Sequence, residues 1–342
     1  MITHADKGNS FVILPTEQYY SKIADFICTN DFQTTTKDPT KSFQSQIRRV
    51  LNDSKNLIPP ETKSRHINMN PTAPSIKGLI KLHKPRHLIR PVINWRGAPA
   101  YKLARLFSQR IKLLAPLPHK YNLENTTDLI KRLHDTPILP QYALASLDIT
   151  NLYTNVPVAK TQKIIAKNLE ENQTDPQTQQ ELLKWYGTIT QQNYFTKNGE
   201  ILIQKDGLAM GTPTSGLIAE FFLQNFEHIH LTTLADKNKI INYFRYIDDI
   251  LLIYDSDHTD TQKILNNFNT VHPKLRFTAE TESDNKINYL DITIHKTPIG
   301  WKTSIYRKPT FTGTIIPYSN QPPTQARGHK ISIQQTQHIQ LT

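Results

Sequence analysis

Apolar positions along the chain recur in two periods. From Tyr101 to Leu114 they stand at Leu103, Leu106, Phe107, Ile111 and Leu114, the spacing of a helix with one buried face, and Pro116 and Pro118 end it. Similar spacing predicts helices over residues 17–27, 42–53, 124–134, 158–172, 217–231 and 263–269, with another starting at 181–190. Thr126 or Thr127 is the expected cap of the 124–134 helix, and Thr214 or Ser215 that of the 217–231 helix. Shorter apolar runs predict strands: SFVIL near the start, two around a turn within 76–96, ALASLDI at 143–149, and three at 275–282, 287–295 and 301–308. Lys197-Asn198-Gly199 predicts a hairpin, because Asn-Gly suits a tight primed turn. Helices interleaved with antiparallel hairpins argue for an α+β fold of several packed subdomains.

Charge changes this picture more than composition does. The net charge is +12, and it is uneven: residues 1–150 carry 22 Lys/Arg against 11 Asp/Glu, and the remainder 19 against 18. Between Glu61 and Glu124 stand 13 basic residues and no acidic one. Such a cluster attracts polyanions, which names a class of partner and not an activity. A single cysteine, Cys28, excludes an internal disulfide and argues against a structural zinc finger; it reads as a small buried residue. No apolar run reaches membrane-spanning length, so no membrane role is expected.

The strongest apolar strand pair, INYFRYIDDILLIY (241–254), carries two adjacent acids in its middle, where a turn must lie. Carboxylates beside a core are costly unless they are paired or hold a cation. A second apolar run, ALASLD, ends on Asp148, so its carboxylate can project from a neighbouring strand. Divalent Mg²⁺ takes hard oxygen ligands, including a few carboxylates alongside phosphates and water. The arrangement therefore suits phosphoryl transfer, whereas a charged hairpin tip is the plain alternative.

Tyr246-Ile247-Asp248-Asp249 resembles the YxDD box of reverse transcriptases, and DITNLYTNVPV (148–158) the first catalytic box. KLHKP (81–85), Ile89-Arg90-Pro91-Val92, ADKGNSFVIL, INYLDITIHK and TSIYRKPTFT are similar to segments of the Penelope-like retroelement group. This resemblance spans roughly residues 1–320. It implies a right-hand polymerase with fingers and palm and a short or incomplete thumb: 1–145 mainly fingers, 146–310 palm with an inserted fingers-proximal segment near 175–205, and 311–342 a partial thumb or flexible tail.

The resemblance also implies roles. Asp148, Asp248 and Asp249 would be the catalytic acids and metal ligands, with the Ile149 carbonyl completing the coordination of two Mg²⁺ ions, or of Mn²⁺. Arg90 and Lys81 are the cations for the triphosphate, Arg90 as a rigid donor fork. Tyr153 looks like a gate against the 2′-hydroxyl. Met210 and Gly211 sit in the second substrate box, where Gly211 admits close backbone approach and Met210 packs on base or sugar. The implied activity is RNA-directed DNA polymerisation, with an RNA template, a DNA or RNA primer and dNTPs as partners, helper proteins, and a nuclear location. An RNA-dependent RNA polymerase and a non-catalytic RNA-binding scaffold are the rival readings.

Overall fold

The computed structural model describes residues 1–6, 10–30, 32–82 and 88–307. Its elements begin with β1 (Ile2–His4), β2 (Phe11–Ile13), α1 (Thr16–Thr29), β3 (Phe32–Thr35), α2 (Thr40–Asp53), a 3-10 helix (Pro60–His66), β4 (Ser75–Ile80) and β5 (Ile89–Asn94). Then come α3 (Tyr101–Leu114), α4 (Thr126–His134), β6 (Tyr142–Ile149), α5 (Leu152–Asn155), α6 (Val158–Glu171), α7 (Pro176–Thr190), β7 (Tyr194–Lys197) and β8 (Glu200–Gln204). The remainder are α8 (Ser215–Lys237), β9 (Ile240–Tyr246), β10 (Asp249–Asp255), α9 (Thr261–Val271), β11 (Phe277–Thr281), β12 (Lys286–Tyr289), β13 (Ile292–Thr297) and β14 (Gly300–Ile305). They form two compact units.

The first unit comprises Met1–Asp6, Phe11–Pro118 and Asn151–Leu231. Its five-stranded sheet has the order β3-β8-β7-β4-β5, with β4 and β7 parallel and the other pairs antiparallel. Asn198 (φ 51°) and Gly199 (φ 85°) make the tight turn between β7 and β8. That is the backbone a primed turn demands, and Asn-Gly supplies it at little steric cost. The inner face of α3 buries Leu103, Ala104, Phe107 and Ile111, and Phe107 meets the Tyr186 ring of α7. Trp185, fully buried in α7, donates to Ser54 at 2.7 Å, so its indole N–H is satisfied inside the core.

The second unit holds His119–Thr150 and the described residues from Thr232 onward. Its antiparallel four-stranded sheet runs β11-β6-β10-β9. Side chains alternate across a strand, so Leu144, Leu251, Ile253 and Phe244 share one face. That face is buried with Leu129 and Leu133 of α4 and with Ile292, Ile294 and Trp301 of the β12-β13-β14 sheet. Near the other face, Phe268 of α9 packs edge-on to Phe277 of β11.

Several local expectations are corrected. The run 287–295 is two strands, because Leu290 turns the chain at φ 53°. The α4 cap is Asn125, whose side chain accepts from the Asp128 N–H, not a threonine. At α8 the Thr214 carbonyl accepts the first helical bond, from Ile218, but Thr212 is the side chain that accepts from the Ser215 N–H. Helix α7 starts earlier than predicted, with Asp175 as cap and Pro176 in the first turn, where its missing N–H costs nothing. Cys28 is exposed, since the buried stripe of α1 runs through Tyr19 and Ile23. Strands β1 and β3 and helix α5 carry too few residues for a periodic signal. The partial-thumb segment 311–342 lies outside the described residues. Among the described residues no helix is long and apolar enough to cross a membrane.

Candidate active site

Strands β6 and β10 pair so that Asp249 stands opposite Asp148. At the next register position the Ile149 N–H donates to the Asp248 carbonyl (3.1 Å). Hydrogen-bonded and open positions alternate in an antiparallel ladder. The aspartates therefore form the open, closer kind of pair, with Cα atoms about 4.5 Å apart. Both are exposed, on the face that further along buries Leu144 and Leu251. Like charges directly opposite each other destabilise a sheet. A bound cation would remove that repulsion.

The chain reaches Asp249 through a two-residue turn, Ile247-Asp248, closed by the Tyr246–Asp249 pair. Ile247 has φ 58°, a left-handed conformation that a β-branched side chain adopts only under strain, at a cost of about 1–3 kcal/mol. Three contacts hold the turn in place. Arg245, fully buried, donates from Nη1 to the Ile247 carbonyl (3.1 Å) and from Nη2 to Oδ1 of Asn122 (2.6 Å). The Arg245 backbone is bonded on both sides to the 121–123 segment, which covers the outer edge of β9. Tyr289 donates from its hydroxyl to the Asp249 carbonyl at 2.8 Å. Burial, then the Asp249 charge, pushes the Tyr289 phenol well above its ordinary range, so it remains a donor.

Among the described residues no three His, Cys, Asp or Glu side chains converge on one point as a ready-made metal cage. The donor set nevertheless fits a hard divalent ion. Mg²⁺ commonly takes one or two protein carboxylates and fills the remaining positions with water and substrate phosphates. Asp148 and Asp249 supply facing carboxylates, and half-buried Asp248 adjoins them. The Ile149 carbonyl leaves its strand on the same side as the N–H that meets Asp248, toward β10.

The residues expected to handle the nucleotide lie in the first unit. Lys77, Leu79 and Lys81 share a face with Arg90 and Val92 on the β4–β5 hairpin, which continues through the Lys81 N–H to Leu88 carbonyl bond (2.7 Å). The Arg90 side chain is half exposed, and its Nε lies 3.1 Å from Oδ1 of Asp6. Asp6 is therefore a buried ion-pair partner. Gly211 has φ 86°, and a Cβ there would run into the Ile93 carbonyl of β5. Its close approach in this structure is thus to protein backbone. Half-buried Met210 adjoins it. The Tyr153 carbonyl accepts from the Leu208 N–H (2.7 Å), tying Tyr153 to the same 207–211 loop. Trp95, after β5, is core.

A buried polar network supports that loop and left no trace in the apolar pattern. Thr154 Oγ1 donates to Asn30 Oδ1 (2.9 Å), Gln204 Nε2 to the Thr154 carbonyl (3.3 Å), and Asn193 Nδ2 to Gln204 Oε1 and the Gly207 carbonyl. Sequence reasoning also missed Arg245, Asn122 and Asp6. Only Arg245 had a usable signal, as a lone cation in the apolar run YFRYI.

Residues 83–289 match the reverse transcriptase (RNA-dependent DNA polymerase) family. No curated protein matches the chain. Among solved structures it is similar to apo telomerase from Candida tropicalis truncated from its C-terminal domain (TM-score 0.60, 12% identity, 89% of this chain and 63% of that one). It is also similar to apo telomerase from Candida tropicalis (0.58, 10%, 86% and 55%). A third is telomerase from Candida albicans in complex with a TWJ fragment of telomeric RNA (0.56, 10%, 91% and 55%). The chain thus spans less than two thirds of each of these structures. At such identities the likeness is one of fold, and it agrees with the α+β right-hand polymerase architecture. The family match extends over more than half of the chain and includes both acidic segments: the protein belongs to the reverse transcriptase family.

Proposed function

We propose that this protein is an RNA-directed DNA polymerase of the Penelope-like branch, extending a primer 3′-end with dNTPs by a two-metal mechanism. The observation that carries the reading is the facing pair Asp148 and Asp249, with Asp248 on the strained turn beside them. Bound Mg²⁺, or Mn²⁺ in its place, would supply activation of the primer hydroxyl and neutralise charge on the leaving pyrophosphate. Asp148, Asp248 and Asp249 hold the ions, with the Ile149 carbonyl as a further oxygen. Arg90 and Lys81 bind the triphosphate, Met210 and Gly211 border the nucleotide, and Tyr153 fills the space of a 2′-hydroxyl. The palm label then belongs to the four-stranded sheet and the fingers label to the five-stranded one. An RNA template, a DNA or RNA primer and helper proteins are the proposed partners, and the nucleus the proposed location.

The test is primer extension on RNA and DNA templates with dNTPs or NTPs, with and without Mg²⁺ or Mn²⁺. The reading expects metal-dependent dNTP incorporation on RNA, and relaxed discrimination against NTPs in Tyr153→Ala. A wild-type preference for NTPs would favour an RNA polymerase. RNA binding without extension in any arm would favour a scaffold.

A further inference from the structure

The ion pair between Arg90 and Asp6 has an unusual form. Arginine and carboxylate commonly meet fork to fork, with two parallel bonds. Here the approach is side-on, with Nε of Arg90 3.1 Å from Oδ1 of Asp6. Among the described residues no hydrogen bond is made by the two Nη groups of Arg90, which carry four N–H donors. The Asp6 side chain is 1% exposed, and its Oδ2 has no partner among the described residues. An ion pair selected for stability alone would use the fork and satisfy both carboxylate oxygens, because a buried oxygen left unpaired is costly.

Asp6 is itself firmly placed. Its N–H donates to the Ile80 carbonyl (2.9 Å), Ala5 bridges Ile80, and Thr3 donates to the Gly78 carbonyl (2.8 Å). The chain just after β1 is thus bonded to the end of β4, and Arg90 is the register partner of Leu79 on the neighbouring strand β5. The free Nη edge belongs to a side chain on the same face as Lys77 and Lys81.

We propose that Asp6 is a positioning residue: it grips Arg90 by Nε so that the Nη fork is presented, preorganised, to the triphosphate of the incoming nucleotide. This rests on the polymerase reading above, in which Arg90 binds that group. Asp6 touches no substrate; it fixes the rotamer of a flexible side chain that would otherwise have to be ordered at each binding event.

The test is steady-state incorporation on an RNA template by wild type, Asp6→Asn, Asp6→Ala, Arg90→Ala and the Asp6→Ala/Arg90→Ala double variant. Losing the grip should raise the dNTP KM about tenfold in Asp6→Ala while kcat stays within about twofold. Asp6→Asn, isosteric but without the charge, should lie between wild type and Asp6→Ala. In the Arg90→Ala background, Asp6→Ala should add less than about twofold. An unchanged KM, a fall in kcat alone, or the full effect of Asp6→Ala without Arg90 would overturn the proposal. Should Asp6→Ala fail to fold, Asp6→Asn is carried through the same cycle with the same criteria. A second readout separates this inference from the polymerase reading: binding of inorganic tripolyphosphate to the protein without primer or template. Asp6→Asn and Arg90→Ala should both weaken it even if the wild type extends no primer, and binding unchanged in Asp6→Asn would overturn the role of Asp6.

Discussion

The hydroxyl of Tyr289 donates to the main-chain carbonyl of Asp249 at 2.8 Å, joining the β12-β13-β14 sheet to the strand that carries the candidate metal ligands. Tyr289→Phe keeps the ring and removes the bond. It should cost about 1 kcal/mol of stability, read as a lower urea midpoint with the slope unchanged. Because the carbonyl belongs to a candidate ligand residue, kcat should fall several-fold with the dNTP KM little altered. A variant with wild-type kcat would reduce this bond to a structural one.

Arg245 is a buried cation whose guanidinium spans the Ile247 carbonyl and Asn122. Asn122→Ala should remove one acceptor of that cation. The expected loss is about 1–3 kcal/mol in equilibrium unfolding. Asn122→Asp restores an acceptor and should recover most of it.

Ile247 pays for its place in the turn with a strained backbone, at φ 58° and with the residue 46% exposed. Ile→Gly in a strand normally destabilises. Here, release of strain outweighs the entropy of glycine, and Ile247→Gly should raise stability by about 1 kcal/mol. A clear drop in the urea midpoint would show that the turn is not strained.

Burial holds the Tyr194 phenol up at about 12, from an ordinary 10.0; its bond with the Thr40 hydroxyl pulls the other way, and the Asp38 charge adds to the rise. Between those values the unfolded chain has lost a proton that the fold retains. Stability is therefore complete below pH 10 and declines as pH rises from there through 12. Tyr186 shifts in the same direction, mainly through burial. Urea midpoints at pH 8 and 11 should differ, and Tyr194→Phe should narrow the difference.

Where the chemistry coincides with local pattern, the sequence was informative. Two acids inside an apolar hairpin, an Asn-Gly turn and the helical stripe of α3 each contain their own signal. The pairing of Asp148 with Asp249 does not, because a register between strands about a hundred residues apart is set by sheet order and packing. The same applies to Asp6 and Arg90, and to Asn30, Thr154, Asn193 and Gln204. Their polar side chains look solvent-bound in sequence and become partners only when distant segments close over them. Asn125 displaced the expected threonine cap because both threonines are already inside α4, which begins at Thr126. Cys28 was misjudged by residue type, since helical phase and not hydrophobicity decides which positions of α1 are buried. Both compact units draw on separate stretches of chain, a division that no linker in the sequence announces.

The measurement that bears most directly on the central claim is RNA-templated dNTP incorporation by Asp248→Asn and Asp148→Asn, with RNA binding and unfolding followed in parallel. Both substitutions preserve shape and remove a carboxylate charge. The account predicts incorporation lowered by at least about a thousandfold (about 4 kcal/mol of transition-state stabilisation), with RNA affinity and urea midpoint close to wild type. Incorporation at the wild-type rate in either folded variant would contradict it.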